Sequence, residues 1–260
     1  MTGTSRVGSI DAIQSSQYKF PYHYIPSVVG FPNFSRGWGY SASYIAAIHI
    51  TREWILGLSV DAGHRHIDFG CGDGGFVNAL AELDADSGIE FEGIDFDEQA
   101  IRWAKMFSKR PENFRVEDVR NLPTGTYDTG TLIEVFEHIP PSDAGWFVRS
   151  LANALKDDGQ LFVTVPSLEK ALTDKHYRHF DFDTLTKAFS EHFDVLDIFA
   201  FERRSLLQIL LAKITNNRFL TFESPLTNRF LISQFAARHQ SLSGCGRIAT
   251  LLQKKTKRRS

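Results

Sequence analysis

The chain is poor in sulfur and has no long apolar run. Its two cysteines, Cys71 and Cys245, stand far apart. Such a pair makes neither a disulfide framework nor a zinc site. No stretch approaches the roughly 18 apolar residues that a membrane span needs. Met1 to Ser16 is polar and lacks the apolar core of a signal peptide, so the expected compartment is the cytoplasm. An excess of one charge is missing too. Lys and Arg number 29 against 31 Asp and Glu, for a formal net charge of −2, and nothing in that total favours a polyanionic partner. There is no internal repeat and no low-complexity block. What remains is ordinary globular composition. At 260 residues, 42% of them hydrophobic, the chain can build one large domain, or one domain with a cap. Its 22 phenylalanines bury large flat surfaces but by themselves imply no ligand.

The pattern along the chain changes in character several times. Residues 1–17 read as disordered. Residues 18–40 are dense in aromatics, Pro and Gly and suit an ordered, irregular segment. Residues 41–58 carry apolar positions at helical spacing, among them Ile45, Ile48, Trp54, Ile55 and Leu58. From residue 64 strands and helices alternate. Strands are expected at His64–Phe69, Phe91–Asp95, Phe114–Glu117, Tyr127–Glu134, Gln160–Val165 and Phe193–Phe201. Helices are expected at Phe76–Leu83, Glu98–Phe107, Asp143–Leu155 and Asp183–Ser190. Residues 203–243 break this rhythm with two apolar helical stretches, Leu206–Ile214 and Phe230–Ala237, before a last strand at Gly246–Gln253. Alternating strands and helices imply βαβ units. The predicted fold is α/β: a Rossmann-like, doubly wound, mostly parallel seven-stranded sheet over residues 61–253. Because a parallel strand ends at the ligand-binding edge, the N-terminal segment 18–60 and the helical insertion 203–243 are expected to cap the pocket. The basic tail, 254–260, reads as a solvated, frayed end, with weak contact to an anionic membrane surface as the alternative.

The strongest motif is Asp68-Phe69-Gly70-Cys71-Gly72-Asp73-Gly74-Gly75, where a strand enters a glycine turn that opens a helix. Taken literally it also satisfies the dinucleotide fingerprint Gly70-x-Gly72-x-x-Gly75, with Asp95 near the expected ribose-binding acid. Charge separates the two readings. A dinucleotide puts its anionic pyrophosphate at the helix N-terminus, where Asp68 and Asp73 would repel it. S-adenosylmethionine carries an ammonium and a sulfonium instead, which carboxylates attract.

These residues resemble the first motif of the class I S-adenosylmethionine-dependent methyltransferases, and the resemblance spans roughly residues 61–202. It implies a cofactor site made of Asp68, Gly70, Cys71, Gly72 and Asp73, followed in order by further strand ends. Asp95 would accept from the ribose hydroxyls, with Phe96 near the adenine. Asp118 would accept from the adenine amino group beside Val119, and Glu134 would end the fourth strand near the transferred methyl. Singly, Asp95 is equally a helix cap and Asp118 equally a turn former.

After the fourth strand comes Glu134-Val135-Phe136-Glu137-His138-Ile139-Pro140. In one reading His138 is a general base for a hydroxyl acceptor, with Glu137 beside it. In another, the Glu-x-x-Glu-His cluster resembles the metal site of small-RNA 2′-O-methyltransferases and of ubiquinone-pathway O-methyltransferases. That likeness implies a divalent cation (Mg²⁺, Mn²⁺ or Zn²⁺) on Glu134, Glu137, His138 and a later histidine, His179 or alternatively His176. In the plainest reading Glu-His merely caps the helix entry. The absence of an Asn-Pro-Pro-Tyr-like tetrapeptide at this place favours O- over N-methylation. The aromatic segment Tyr18 to Ile25 and the His176–Phe180 segment resemble methyltransferases of bacterial surface-glycan synthesis, so a sugar or other small-molecule hydroxyl is the expected acceptor. RNA and a quinone-like phenol are its rivals. From other classes stand an NAD-dependent dehydrogenase and a non-catalytic cofactor-binding protein. The sequence carries no signal for an oligomeric state.

Overall fold

The computed structural model describes residues 12, 13, 15, 16, 18, 41–58, 63–83, 88–203, 205, 206, 210, 213, 214 and 225–256. Seven strands form one sheet: β1 (Arg65–Phe69), β2 (Glu90–Asp95), β3 (Phe114–Val116), β4 (Tyr127–Ile133), β5 (Leu155–Pro166), β6 (Phe193–Arg203) and β7 (Cys245–Lys254), in the order β3-β2-β1-β4-β5-β7-β6. The pairs from β3 across to β5 are parallel. The last strand is antiparallel to both its neighbours and wedges between β5 and β6. The sheet is thus mostly parallel, as the alternating pattern implied. The strand order reverses between β1 and β4, which opens a crevice at their carboxyl ends.

Period-two patterning explains why both faces are covered. On β5, Leu161, Val163 and Val165 turn to one apolar cluster and Phe162 to the other. The first face is closed by α4 (Ala144–Ala154) and α5 (Phe182–Phe189), which bring Val148, Leu151, Leu185 and Phe189 to the core. The second carries α1 (Ser41–Leu56), α2 (Gly75–Leu83), α3 (Glu98–Phe107) and α6 (Pro225–Phe235). A register shift near Leu196 re-phases β6, so that Val195 and Ile198 share one face while Phe199 and Phe201 point to the other.

Among the described residues the expected elements are present with shifts at their ends, while most of the expected helix Leu206–Ile214 lies outside them. Helix α6 begins at Pro225 rather than Phe230, and β5 at Leu155 rather than Gln160: the chain passes straight from α4 into the strand, and Asp158, at φ +62°, takes the left-handed conformation there. The described parts of the two expected cap segments, α1 and α6, pack on each other and on the sheet. Trp54 of α1 stacks on Phe162, with ring centroids 5.7 Å apart, and donates its indole N–H to Gln160. Within residues 1–17, Ala12, Ile13, Ser15 and Ser16 are helical rather than disordered, and Tyr18 N–H donates to the Ser15 carbonyl. At the other end, Lys254 belongs to β7 and Lys255 is bound to the Ser190 and His192 carbonyls, so the tail is anchored at its start. Within these segments and the tail, residues 19–40, 59, 60, 204, 207–209, 211, 212, 215–224 and 257–260 lie outside the described residues. Among the described residues no helix is long and apolar enough to cross a membrane.

Because Leu252 is fully buried on the wedge strand, Leu252→Ala should cost about 2–5 kcal/mol in urea unfolding, and a loss below about 1 kcal/mol would show that β7 does not carry the core.

Candidate active site

Parallel strands all deliver their carboxyl ends to one edge, and Asp68, Asp95, Asp118 and Glu134 lie at or just beside those ends. β1 ends in a turn whose Gly70, Gly72 and Gly74 have φ of +76°, +55° and +79°. Such backbone is strained for any residue with a Cβ. A Cβ on Gly74 would stand 2.8 Å from the Ala104 methyl, so close packing on α3 demands glycine independently. Gly70 and Cys71 both donate to the Ile94 carbonyl at 2.8 Å, which ties the turn to β2. Cys71 is a packing residue: its side chain fills the space against Gly93, and burial pushes its thiol well above the ordinary range. Asp73 is fully buried and accepts from Gly75 N–H at the start of α2.

Asp95 closes β2 with one oxygen on Gly72 N–H and the other on Asp97 N–H, both at 2.9 Å. The helix-capping role weighed for Asp95 belongs to Asp97, which accepts from Gln99 and Ala100. Asp68 accepts from the Thr131 hydroxyl at 2.7 Å. Burial pushes the Asp68 carboxyl up to about 7 and the Asp95 carboxyl up to about 6. Phe96 follows at the rim and is largely exposed. Asp118 caps the short 3₁₀ turn Val119–Asn121 and pairs with Arg120, a contact that holds its carboxyl below the usual range, while Val119 is buried.

A further contributor at this turn is Tyr18, from the aromatic segment expected to cap the pocket. The Tyr18 hydroxyl lies over Gly72, 2.8 Å from where a Cβ would sit, and the Trp103 indole donates to the Tyr18 carbonyl at 2.8 Å. No local signal ties residue 18 to residue 72.

The Glu-x-x-Glu-His segment divides into two groups. Glu134 has φ +56°, accepts from Thr164 at 3.1 Å and pairs with Arg247 at 2.9 Å. Arg247, on the wedge strand, also binds buried Glu202, which pairs with Lys170 at 3.4 Å. Glu137, His138 and His176 form the second group, with one ligand atom from each lying within 4.8 Å of the others. This group holds two of the expected metal residues, Glu137 and His138, with the alternative histidine His176. Glu134 is turned to Arg247, and His176 rather than His179 joins the cluster. His179 stands behind: its Nε2 is 2.7 Å from His176 Nδ1 and its Nδ1 is 3.0 Å from the Lys170 carbonyl.

The tautomers follow from these partners. A carbonyl only accepts, so His179 Nδ1 carries the proton and its Nε2 accepts from His176 Nδ1–H. His138 Nδ1 likewise donates to the Lys175 carbonyl at 2.9 Å. Both His138 and His176 are then left with bare Nε2 atoms. Burial lowers His138 to about 4 and His176 to about 3, which keeps both neutral. Burial, reinforced by the Glu134 charge, pushes Glu137 well above the usual carboxylate range, and Glu137 Oε2 has no hydrogen-bond partner.

A cofactor with an ammonium and two ribose hydroxyls favours ionised Asp68 and Asp95. With burial raising them to about 7 and about 6, a cofactor held there would have to expel protons as the pH falls and would bind more weakly. The rise in melting temperature on saturating S-adenosylhomocysteine should be larger at about pH 8 than at about pH 5.5, and equal shifts would remove these acids from the binding site.

The model of a methyltransferase domain family matches residues 45–208. A ubiquinone biosynthesis O-methyltransferase of Neisseria meningitidis serogroup C is 35% identical over 118 residues, which are 42% of this chain and 47% of that protein. The chain thus spans slightly under half the length of the curated relatives it matches. Among solved structures, a SAM-dependent methyltransferase from Archaeoglobus fulgidus superposes with a TM-score of 0.54 at 21% identity, covering 80% of this chain and 93% of its own. Magnesium protoporphyrin IX methyltransferase from Synechocystis PCC 6803, solved with bound SAM, gives 0.55 at 16% identity and covers 87% and 86%. At these identities the structures establish the fold, while the family match, over more than half of the chain, establishes kinship. With an acidic glycine turn, a buried carboxylate at the end of β2 and this strand order, the chain belongs to the class I S-adenosylmethionine-dependent methyltransferases.

Proposed function

We propose that the protein O-methylates a phenolic hydroxyl of a quinone-like substrate, with Glu137, His138 and His176 facing the acceptor. The cluster of one carboxylate and two bare imidazole nitrogens carries this reading. The curated relatives share the O-methyltransferase name and act in ubiquinone biosynthesis, which supports a phenol over the sugar hydroxyl or RNA weighed above. Methyl transfer is an in-line displacement, in which the acceptor oxygen attacks the sulfonium methyl. Asp95 would hold the ribose and Asp68 the cofactor ammonium, and the acceptor would meet the site at the end of β4. There Glu134 is held aside by Arg247, which leaves the Glu137–His138–His176 group to meet the acceptor.

The three side chains fit a divalent cation. Glu137 Oε2 is buried without a partner, and the two neutral imidazoles each offer a lone pair. When bound, a cation there would acidify the acceptor hydroxyl. The alternative, His138 as general base, is weaker: an imidazole held near 4 takes a proton poorly at neutral pH.

With a dihydroxyphenyl acceptor and methyl-labelled cofactor, His176→Ala should lower turnover by about 100-fold while leaving S-adenosylhomocysteine affinity within about twofold. EDTA should do the same, with activity restored by Mg²⁺ or Mn²⁺. Turnover indifferent to EDTA would sink the cation and leave His138 as base. Labelling of a glycan or RNA acceptor in place of the phenol would sink the substrate assignment.

A further inference from the structure

A buried line of polar side chains crosses the sheet between β1 and β4 and ends at the cofactor site. His64 Nε2 is 2.8 Å from the Thr129 hydroxyl, which is 2.9 Å from His66 Nδ1. His66 Nε2 is 3.1 Å from the Thr131 hydroxyl, which donates to Asp68 at 2.7 Å. The register makes this line possible. His66 pairs with Thr129 and Asp68 with Thr131 across parallel strands, so alternate residues of both strands share one face. His66 is completely buried, with the Phe91 ring 5.4 Å and the Trp54 ring 6.4 Å away.

The end of the line fixes the direction of every bond in it. Asp68 as a carboxylate only accepts, so the single Thr131 proton goes to it. The Thr131 oxygen can then only accept, and His66 must carry its proton on Nε2. Neutral His66 is left with a bare Nδ1, which takes the Thr129 proton, and the Thr129 oxygen accepts from His64 Nε2–H. Each hydroxyl and each His66 nitrogen is satisfied once, with all donors aimed toward Asp68. Burial lowers His66 to about 3, in keeping with the neutral ring this order requires. A threonine alone would serve Asp68 with a hydroxyl free to rotate. Here the hydroxyl is held from behind by an imidazole N–H, so its proton has one place to go.

We propose that Thr131 and His66 are positioning residues for the cofactor. The oriented line holds Asp68 as a fixed, ionised acceptor for the ammonium of the cofactor's amino-acid arm. The assignment concerns cofactor binding alone and stands whichever hydroxyl is methylated.

The test is calorimetric titration of the full chain with two ligands. S-adenosylhomocysteine has the ammonium, whereas 5′-methylthioadenosine keeps the nucleoside and lacks the arm. Thr131→Val should raise the dissociation constant for S-adenosylhomocysteine by about tenfold, the order expected for a lost hydrogen bond to a charged group. It should leave 5′-methylthioadenosine within about twofold. Thr131→Ser, which keeps the hydroxyl, should restore the affinity. His66→Phe, which keeps a ring in the aromatic box, should weaken S-adenosylhomocysteine selectively by about threefold or more. Should Thr131→Val not fold, His66→Phe carries the same comparison with Thr131 in place. Equal weakening of both ligands would mean a purely structural role. Unchanged S-adenosylhomocysteine affinity, or no rescue by serine, would overturn the proposal.

Discussion

A carboxylate taken out of water must find donors or a cation, and the strand ends of this sheet carry several such groups. Asp68 and Asp95 are both almost wholly buried, and their carboxyls are pushed into the range where protonation competes with charge. The protein meets this demand differently at each strand. Backbone N–H groups serve Asp95, a threonine hydroxyl serves Asp68, and an arginine serves Glu134. Glu137 keeps an oxygen without a hydrogen-bond partner in the protein. The site is in this sense a set of buried carboxyl groups whose charge burial disfavours and whose donors differ from strand to strand.

The wedge strand β7 is what makes the acceptor side workable. It places Arg247 between Glu134 and Glu202, two residues that both hold left-handed backbone, at φ +56° and +59°. Conformations of this kind cost about 1–3 kcal/mol each for residues with a Cβ and persist where surrounding contacts fix them. Gly246 beside them has no room for a Cβ, which would stand 2.6 Å from a Glu202 oxygen. Arg247 thereby pairs with Glu134, and the imidazoles of His138 and His176, with centroids 4.8 Å apart, gather with Glu137.

Much of the architecture was legible because it is local. The βαβ rhythm follows from apolar periodicity, and the helix Glu98–Phe107 has its expected limits, with Asp97 capping it in the structure and its buried positions recurring at helical spacing. The acids beside the glycine turn could be interpreted before any coordinates because their sign alone disfavours a pyrophosphate. The pairing of β7 was not legible. A strand that follows a long excursion can add at an edge or enter between two others, and no pattern within it decides. The choice between His176 and His179 was hidden for a related reason. Both lie in one short segment, and only the Lys170 carbonyl, which takes the His179 proton, turns one ring inward and keeps the other behind it.

What the sequence by itself determined was the chemistry of the cofactor half: a turn that must be glycine, and acids at successive strand ends, each defined by residues a few positions apart. What only the tertiary structure decided were the partnerships across the fold. Arg247 meets Glu134, Tyr18 meets Gly72, and Thr131 meets both His66 and Asp68. Strand register and chain packing create those contacts, and side-chain periodicity records which face a residue takes but not which distant residue shares it. The carboxylates were visible from the start. The groups that hold them in their charged, oriented form became visible only in three dimensions.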